Sequence, residues 1–237
     1  MFTASLPQLL ACAPRGDGHP VLVIPGFLAS DTSTTPLRRA LGLLGYDVRG
    51  WGLGRNVGPR SVGTDGGKLT QLIDKIHEET GSPVSLVGWS LGGVLARISA
   101  ASTPGAVRQV ITLGSPFAGS PRATNAWKLY EKVSGAPLRG ADQNALMRTA
   151  RRPLAVPSTA VFSRADGICA WEICRGPSSP RSENIEVHGS HCGLGANPSV
   201  FLIVADRLAQ SDDDWSPFEP QALTGWMFPA STCRGAD

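Results

Sequence analysis

Residues 85–97 read SLVGWSLGGVLAR, an apolar run that passes through Gly88, Trp89, Ser90, Leu91 and Gly92 into a helical pattern. A serine hydroxyl is a weak nucleophile, useful in covalent chemistry only where a neighbouring base takes its proton. A tight strand-to-helix turn supplies the setting, because it strains the apex residue and lifts its side chain clear of the sheet. Gly88 and Gly92 are small where side chains would collide with the turn's neighbours, so Gly88, Trp89 and Gly92 are read with Ser90 as one nucleophile turn. A helix beginning at Leu91 would aim its free N–H groups at negative charge forming beside Ser90. The competing reading is a plain turn serine, which leaves the flanking patterns unexplained.

The base needs a partner that fixes its tautomer. Four histidines compete. His19 precedes the first strand, at the end opposite the chemistry, and His77 falls on a surface helix. His188 ends the last strand. His191 lies beyond it in the glycine-rich GSHCGLG, from which an imidazole can reach over the carboxyl edge of a sheet, where catalytic groups gather. His191 is the candidate base and His188 the alternative. Asp166 in SRADGI follows a strand directly, with Gly167 supplying the turn; it is the candidate acid. Glu172 could substitute, whereas Glu183 and Glu186 read as solvated strand residues. An imidazole acting as base must be neutral, so activity should fall below about pH 6.

Attack on a carbonyl also creates a negative oxygen that two preorganised N–H donors must meet. Leu91 offers one at the helix start. The second is expected from IPGFLAS after the first strand, at Phe27, with Gly26 permitting close approach and Pro25 stiffening the turn. The bland alternative is that PGF is only a strand exit. Phe117, Trp127 and Tyr130, with Trp89, could line an acyl pocket, although aromatic stripes more often belong to cores. Arg55 and Asn56 either border its entrance or bond loop carbonyls.

Positioning these groups takes a scaffold, and the chain alternates strand and helix patterns throughout. PVLVI (20–24) is a continuous apolar run, as in a strand covered on both faces. A helix is expected over 35–45, with Thr35 as cap and Pro36 at the first position. A strand at 46–51, a glycine-rich loop and a helix at 68–81 follow. Strands at 83–88, 107–116, 158–167 and 183–189 frame the turn helix, and Asn197–Pro198 opens the last helix. Such alternation implies a mostly parallel sheet of about six strands with helices on both faces. Residues 117–157 interrupt it and read as a short cap insertion.

At 237 residues, with 41% apolar and 17% charged, the chain suits one globular domain over 1–237. The net charge of +3 and the lack of a basic run argue against nucleic acid as a partner. No apolar stretch reaches a membrane span, and MFTASLPQLLACAP is short, broken by Pro7 and without a preceding Lys or Arg. A cytoplasmic location is therefore expected; the oligomeric state is not set by the sequence. Five cysteines (Cys12, Cys169, Cys174, Cys192, Cys233) favour reduced thiols, the sharper alternative being a bridge among Cys169, Cys174 and Cys192. CAWEIC lacks zinc-ligand spacing, so neither metal nor cofactor is expected.

The stretches GHPVLVIPGFLASD, WGLGRNVGP, VSLVGWSLGGVLAR, ITLGSPFAG, SRADGICAW and ENIEVHGSHCGLGANP together resemble the bacterial α/β-hydrolases of the esterase and triacylglycerol-lipase-like group. The order Ser90, Asp166, His191 is also that of this fold. The resemblance implies hydrolysis of a small-molecule ester with an apolar acyl group, through an acyl-enzyme. It assigns the nucleophile to Ser90, the acid to Asp166, the base to His191 and the oxyanion donors to Phe27 and Leu91. The chain departs from the pattern in carrying PGF where many lipases have HG, and in a short cap, which argues against strong interfacial activation. The alternatives are an acyltransferase using the same acyl-enzyme, or an inactive binding protein on the same fold.

Overall fold

The structure, a computed structural model, describes residues 2–103, 105–120, 122–135, 141–211 and 214–232; Cys233 lies outside them. Six strands form one sheet: β1 (Pro20–Ile24), β2 (Asp47–Gly50), β3 (Val84–Trp89), β4 (Val107–Leu113), β5 (Ser158–Phe162) and β6 (Ser182–Glu186). Their spatial order is β2-β1-β3-β4-β5-β6, and every neighbouring pair is parallel. The helices are α1 (Phe2–Cys12), α2 (Asp31–Leu44), α3 (Pro59–Val62), α4 (Gly67–Thr80), α5 (Leu91–Ser102), α6 (Trp127–Ser134), α7 (Ala141–Arg151) and α8 (Pro198–Ala209).

The continuous apolar strands are explained by two cores, one on each face. Val21, Val23, Val87, Ile111 and Val161 meet Leu37 and Leu41 of α2 and Phe201 and Val204 of α8. The alternate residues Leu22, Ile24, Leu86 and Val110 meet Leu69, Ile73 and Ile76 of α4 and Leu95 of α5. Each buried side chain of this size contributes about 1.5–3 kcal/mol. Asn197 caps α8 by accepting from the Ser199 N–H at 2.9 Å, and its Nδ2 donates to the His188 carbonyl at 2.6 Å. One residue therefore starts the helix and ties down the loop that carries His191.

Three local expectations need correction. α2 starts at Asp31, four residues before the expected cap, with Pro36 inside it. The early start serves a bridge: the Asp31 carboxylate accepts from the N–H groups of Trp51 and Gly52, both at 3.0 Å, at the end of β2. The N-terminal segment read for targeting forms α1 despite Pro7, and its Leu9 is buried in the core beside α8. The loop after β2 contains the single turn α3.

β1 leads to β2 on one side while β3 lies on its other side, so strand order reverses between β1 and β3. Such a switch point opens a crevice beyond the carboxyl ends of the strands. Phe27 follows β1 and Ser90 follows β3, at that crevice. The insertion between β4 and β5 carries α6 and α7. Arg97 of α5, 2% exposed, anchors it by donating to the carbonyls of Ala150 at 2.6 Å and Arg152 at 2.8 Å. Burial lowers the pKa of Arg97 to about 10, which leaves it charged at neutral pH against the carbonyl end of α7.

Candidate active site

Ser90 has φ 54° and ψ −120°, one of two non-glycine residues with positive φ among those described. A serine held there is strained, and the surroundings enforce it. A β-carbon on Gly88 would overlap the backbone of Gly93, and one on Gly92 would overlap the carbonyl of Ile24. Gly93, which sequence reasoning passed over, would collide with Ser115. Three glycines thus let α5 return directly over β1 and β3.

Asp166 and His191 meet where the loops after β5 and β6 converge. His191 Nδ1 and Asp166 Oδ2 lie 2.6 Å apart, with side chains only 7% and 1% exposed. The other carboxylate oxygen accepts from the Ile168 and Cys169 N–H groups, both at 2.8 Å. Burial opposes the carboxylate's charge, but the His191 and backbone hydrogen bonds outweigh it and hold Asp166 below the usual range. Burial likewise opposes the imidazolium, but hydrogen bonds to Asp166 and Cys169 outweigh it and raise His191 to about 9. His188 is exposed, and His77 sits on α4.

Among the described residues, Ser90 Oγ makes no hydrogen bond; its turn reaches the His191 loop through Trp89. The indole Nε1 donates to the His191 carbonyl at 3.2 Å, and the two rings lie 6.3 Å apart. Gly114, at φ 55°, closes β4 beneath the carboxylate–imidazole pair: a β-carbon there would press on Asp166 Oδ2 at 3.2 Å and His191 Nδ1 at 3.3 Å.

The Phe27 and Leu91 N–H groups have no internal acceptor among the described residues. The loop presenting Phe27 is itself strained, with Leu28 at φ 62°. Asn56, fully buried, holds it: its Nδ2 donates to the Pro25 carbonyl at 2.8 Å and its carbonyl accepts from the Leu28 N–H at 2.7 Å. Asn56 therefore bonds loop carbonyls, whereas Arg55 is exposed.

A cavity of about 90 Å³ opens beside Ser90, walled by Phe27, Val94, Trp127, Tyr130, Met147 and Ile168. Trp127 and Tyr130 form part of its wall. Phe117 does not: it is fully buried with the Arg97 guanidinium 4.1 Å from its ring centre, because it packs under the arginine that holds α7. Cys169 also reaches the cavity as a free thiol, pushed up in pKa by the Cys174 thiol beside it and by burial. Cys12, Cys174 and Cys192 are free thiols as well, so the bridge among the three central cysteines is not formed.

Sequence reasoning also missed how the insertion meets the acid loop. Asn125 donates its N–H to the Ile168 carbonyl and its Nδ2 to the Gly167 carbonyl, both at 2.8 Å. The Ala170 N–H donates to the Ala123 carbonyl at 3.1 Å, and Thr124 pairs antiparallel with Cys169. This short ladder is cavity wall on one side and carboxylate cradle on the other. Pairs more than 40 residues apart leave no local sequence signal.

Comparison with known proteins places this geometry in context. The Mus musculus serine hydrolase BPHL is 33% identical over 110 residues, covering 42% of this chain and 37% of that protein. The chain therefore matches little more than a third of that curated relative's length. The structure resembles a lipase from Bacillus licheniformis (TM-score 0.58, 16% identity, 82% of this chain and 94% of that one). It also resembles a monoacylglycerol lipase from Paleococcus ferrophilus (TM-score 0.57, 16% identity, 83% and 95%) and Aspergillus fumigatus lipase B (TM-score 0.57, 19% identity, 82% and 53%). No described helix is long and apolar enough to cross a membrane. With the alpha/beta hydrolase family matching residues 21–232, and the all-parallel sheet and strained turn in agreement, the chain belongs to the alpha/beta hydrolase family.

Proposed function

We propose that the protein is a serine hydrolase of carboxylic esters with small apolar acyl groups, and that residues 1–237 act as one domain capped by 117–157. The observation that carries this reading is the strained Ser90 turn, opening on an apolar cavity next to a buried carboxylate–imidazole pair. Asp166 holds the Nδ1 proton, which leaves Nε2 as the basic nitrogen. With substrate bound, that nitrogen takes the Ser90 proton as Oγ attacks the ester carbonyl; such hydrogen bonds commonly tighten only in the substrate complex. The Phe27 and Leu91 N–H groups receive the developing oxyanion. The imidazolium then protonates the leaving alcohol, and a water activated the same way releases the acid from Ser90.

The cavity, about 90 Å³, is smaller than the roughly 150 Å³ that accommodates benzene in an engineered core. Acyl chains of roughly two to four carbons fit that space, and longer ones must extend past its mouth or displace α6. A chain-length series of p-nitrophenyl esters tests this, with the highest kcat/KM expected for the short esters. Rates that keep rising to long chains would remove the size limit, and dominant ester product at low added alcohol would turn the reading to acyl transfer. A fluorophosphonate probe should label Ser90 alone; folded protein left unlabelled would reject the serine mechanism.

A further inference from the structure

The CAWEIC spacing argues against zinc, yet the fold assembles a different ligand set. Asp166, Cys169 and His191 each offer a ligand atom, and the three atoms lie within 4.8 Å of one another. Cys169 is 2% exposed and faces the cavity that Ser90 opens on, and the hydrolytic steps make no use of its thiol. We propose that these three side chains form an inhibitory site for a thiophilic divalent cation of the zinc class.

Charge, chemistry and support all fit such an ion. A thiolate and a carboxylate neutralise a dication while the imidazole stays neutral, so the filled site carries no net charge, which suits a buried position. A sulfur–nitrogen–oxygen donor set selects zinc-like ions over magnesium or calcium. The N–H groups of Ile168 and Cys169 hold the second carboxylate oxygen and orient the acid as a metal ligand, as outer hydrogen bonds do in metal centres. Tetrahedral zinc with bonds of 2.0–2.3 Å separates its donors by about 3.3–3.8 Å. Asp166 and His191, now 2.6 Å apart, would therefore open by roughly 1 Å, and the cavity supplies the entry route.

On binding, the Cys169 S–H bond breaks, the sulfur–metal bond forms and the proton leaves to solvent. The proton on the ring nitrogen that meets the metal also leaves to solvent, and that nitrogen donates its freed lone pair while the other keeps its proton. The pair that would orient and accept protons for Ser90 is then committed to the metal, and hydrolysis stops. Metal binding itself does not depend on the hydrolase reading; only its inhibitory consequence does.

The test uses the full chain, with cobalt(II) as the optical probe and zinc(II) as the inhibitor. A thiolate-to-cobalt charge-transfer band is expected in the wild type and in Cys174→Ser, and should be lost in Cys169→Ser. Micromolar zinc should inhibit ester hydrolysis reversibly by chelator. Relative to its own zinc-free rate, Cys169→Ser should need at least tenfold more zinc. Should that variant fold poorly, alkylation mapping on the wild type decides instead: zinc should protect Cys169 and leave Cys12 and Cys192 reactive. A band that persists in Cys169→Ser, or unprotected Cys169, would overturn the site. A cobalt band without zinc inhibition would keep the site and reject its consequence, and an intact site on a protein that cleaves no ester would count against the hydrolase reading alone.

Discussion

The two ends of β3 differ: one carries an Asp–His–Ser array, the other a strained serine turn near an Asp–His pair. At the amino end of β3, His19 bridges Asp17 at 2.5 Å and Ser85 at 2.8 Å, a fully connected hydrogen-bonded row. At the carboxyl end, Asp166 and His191 are bonded while Ser90 is not yet joined to them. Connectivity alone would nominate Ser85 rather than the Ser90 of the proposed function. Ser85 is 0% exposed, sits within β3 between β1 and β4, and its array stitches the bottom of the sheet to Asp17 and Arg108. Ser90 is strained, opens on a cavity and has uncommitted N–H groups beside it. Access, backbone strain and unspent donors are what favour Ser90 as the proposed nucleophile.

Substitutions at the two ends should therefore behave in opposite ways. Ser90→Ala should lower kcat by about 10⁶-fold, as loss of a nucleophile does, while Ser85→Ala stays within about twofold. A fluorophosphonate adduct on Ser85, mapped by mass spectrometry, would erase the distinction. Next in size, Asp166→Asn should cost about 10⁴-fold in kcat through the wrong imidazole tautomer, with Asp17→Asn nearly silent in the same assay.

A smaller loss, about tenfold in kcat with KM little changed, is expected of Asn125→Ala, which loosens the acid loop without touching substrate. The pH profile sharpens the contrast further. Because His191 must be neutral to act and its pKa is raised to about 9, kcat/KM should climb from neutral pH toward pH 9. Asp166→Asn should move that limb down, toward the ordinary histidine value of about 6.5, and His19→Ala should leave it in place. The smallest catalytic effect belongs to His19→Ala, which should instead destabilise by about 1–3 kcal/mol in urea unfolding, since it strands the buried Ser85 hydroxyl.

Much of the upper edge of the sheet could be read in one dimension. The glycines around Ser90, the turn after β5 and the glycine-rich loop after β6 are local patterns whose spacing follows from a strand handing over to a turn. The supports could not be read that way. The Trp89 indole reaches the His191 carbonyl across 102 residues, and Asn56 holds the Pro25 carbonyl across 31. Phe117 stays open in the sequence for a related reason: an aromatic residue after a strand suits pocket and core equally, and only the Arg97 guanidinium over its ring decides. Thr35 and Pro36 gave a sound helix-start signal that the tertiary bridge from Asp31 overrode.

The ladder between residues 123–125 and 167–170 limits how this protein can be re-engineered. Exchanging the α6–α7 segment for a roomier one would alter the backbone that braces the carboxylate as well as the cavity wall. A graft that begins after Asn125 should retain its proton-transfer behaviour while changing chain-length preference, whereas one that begins before Ala123 should disturb both together.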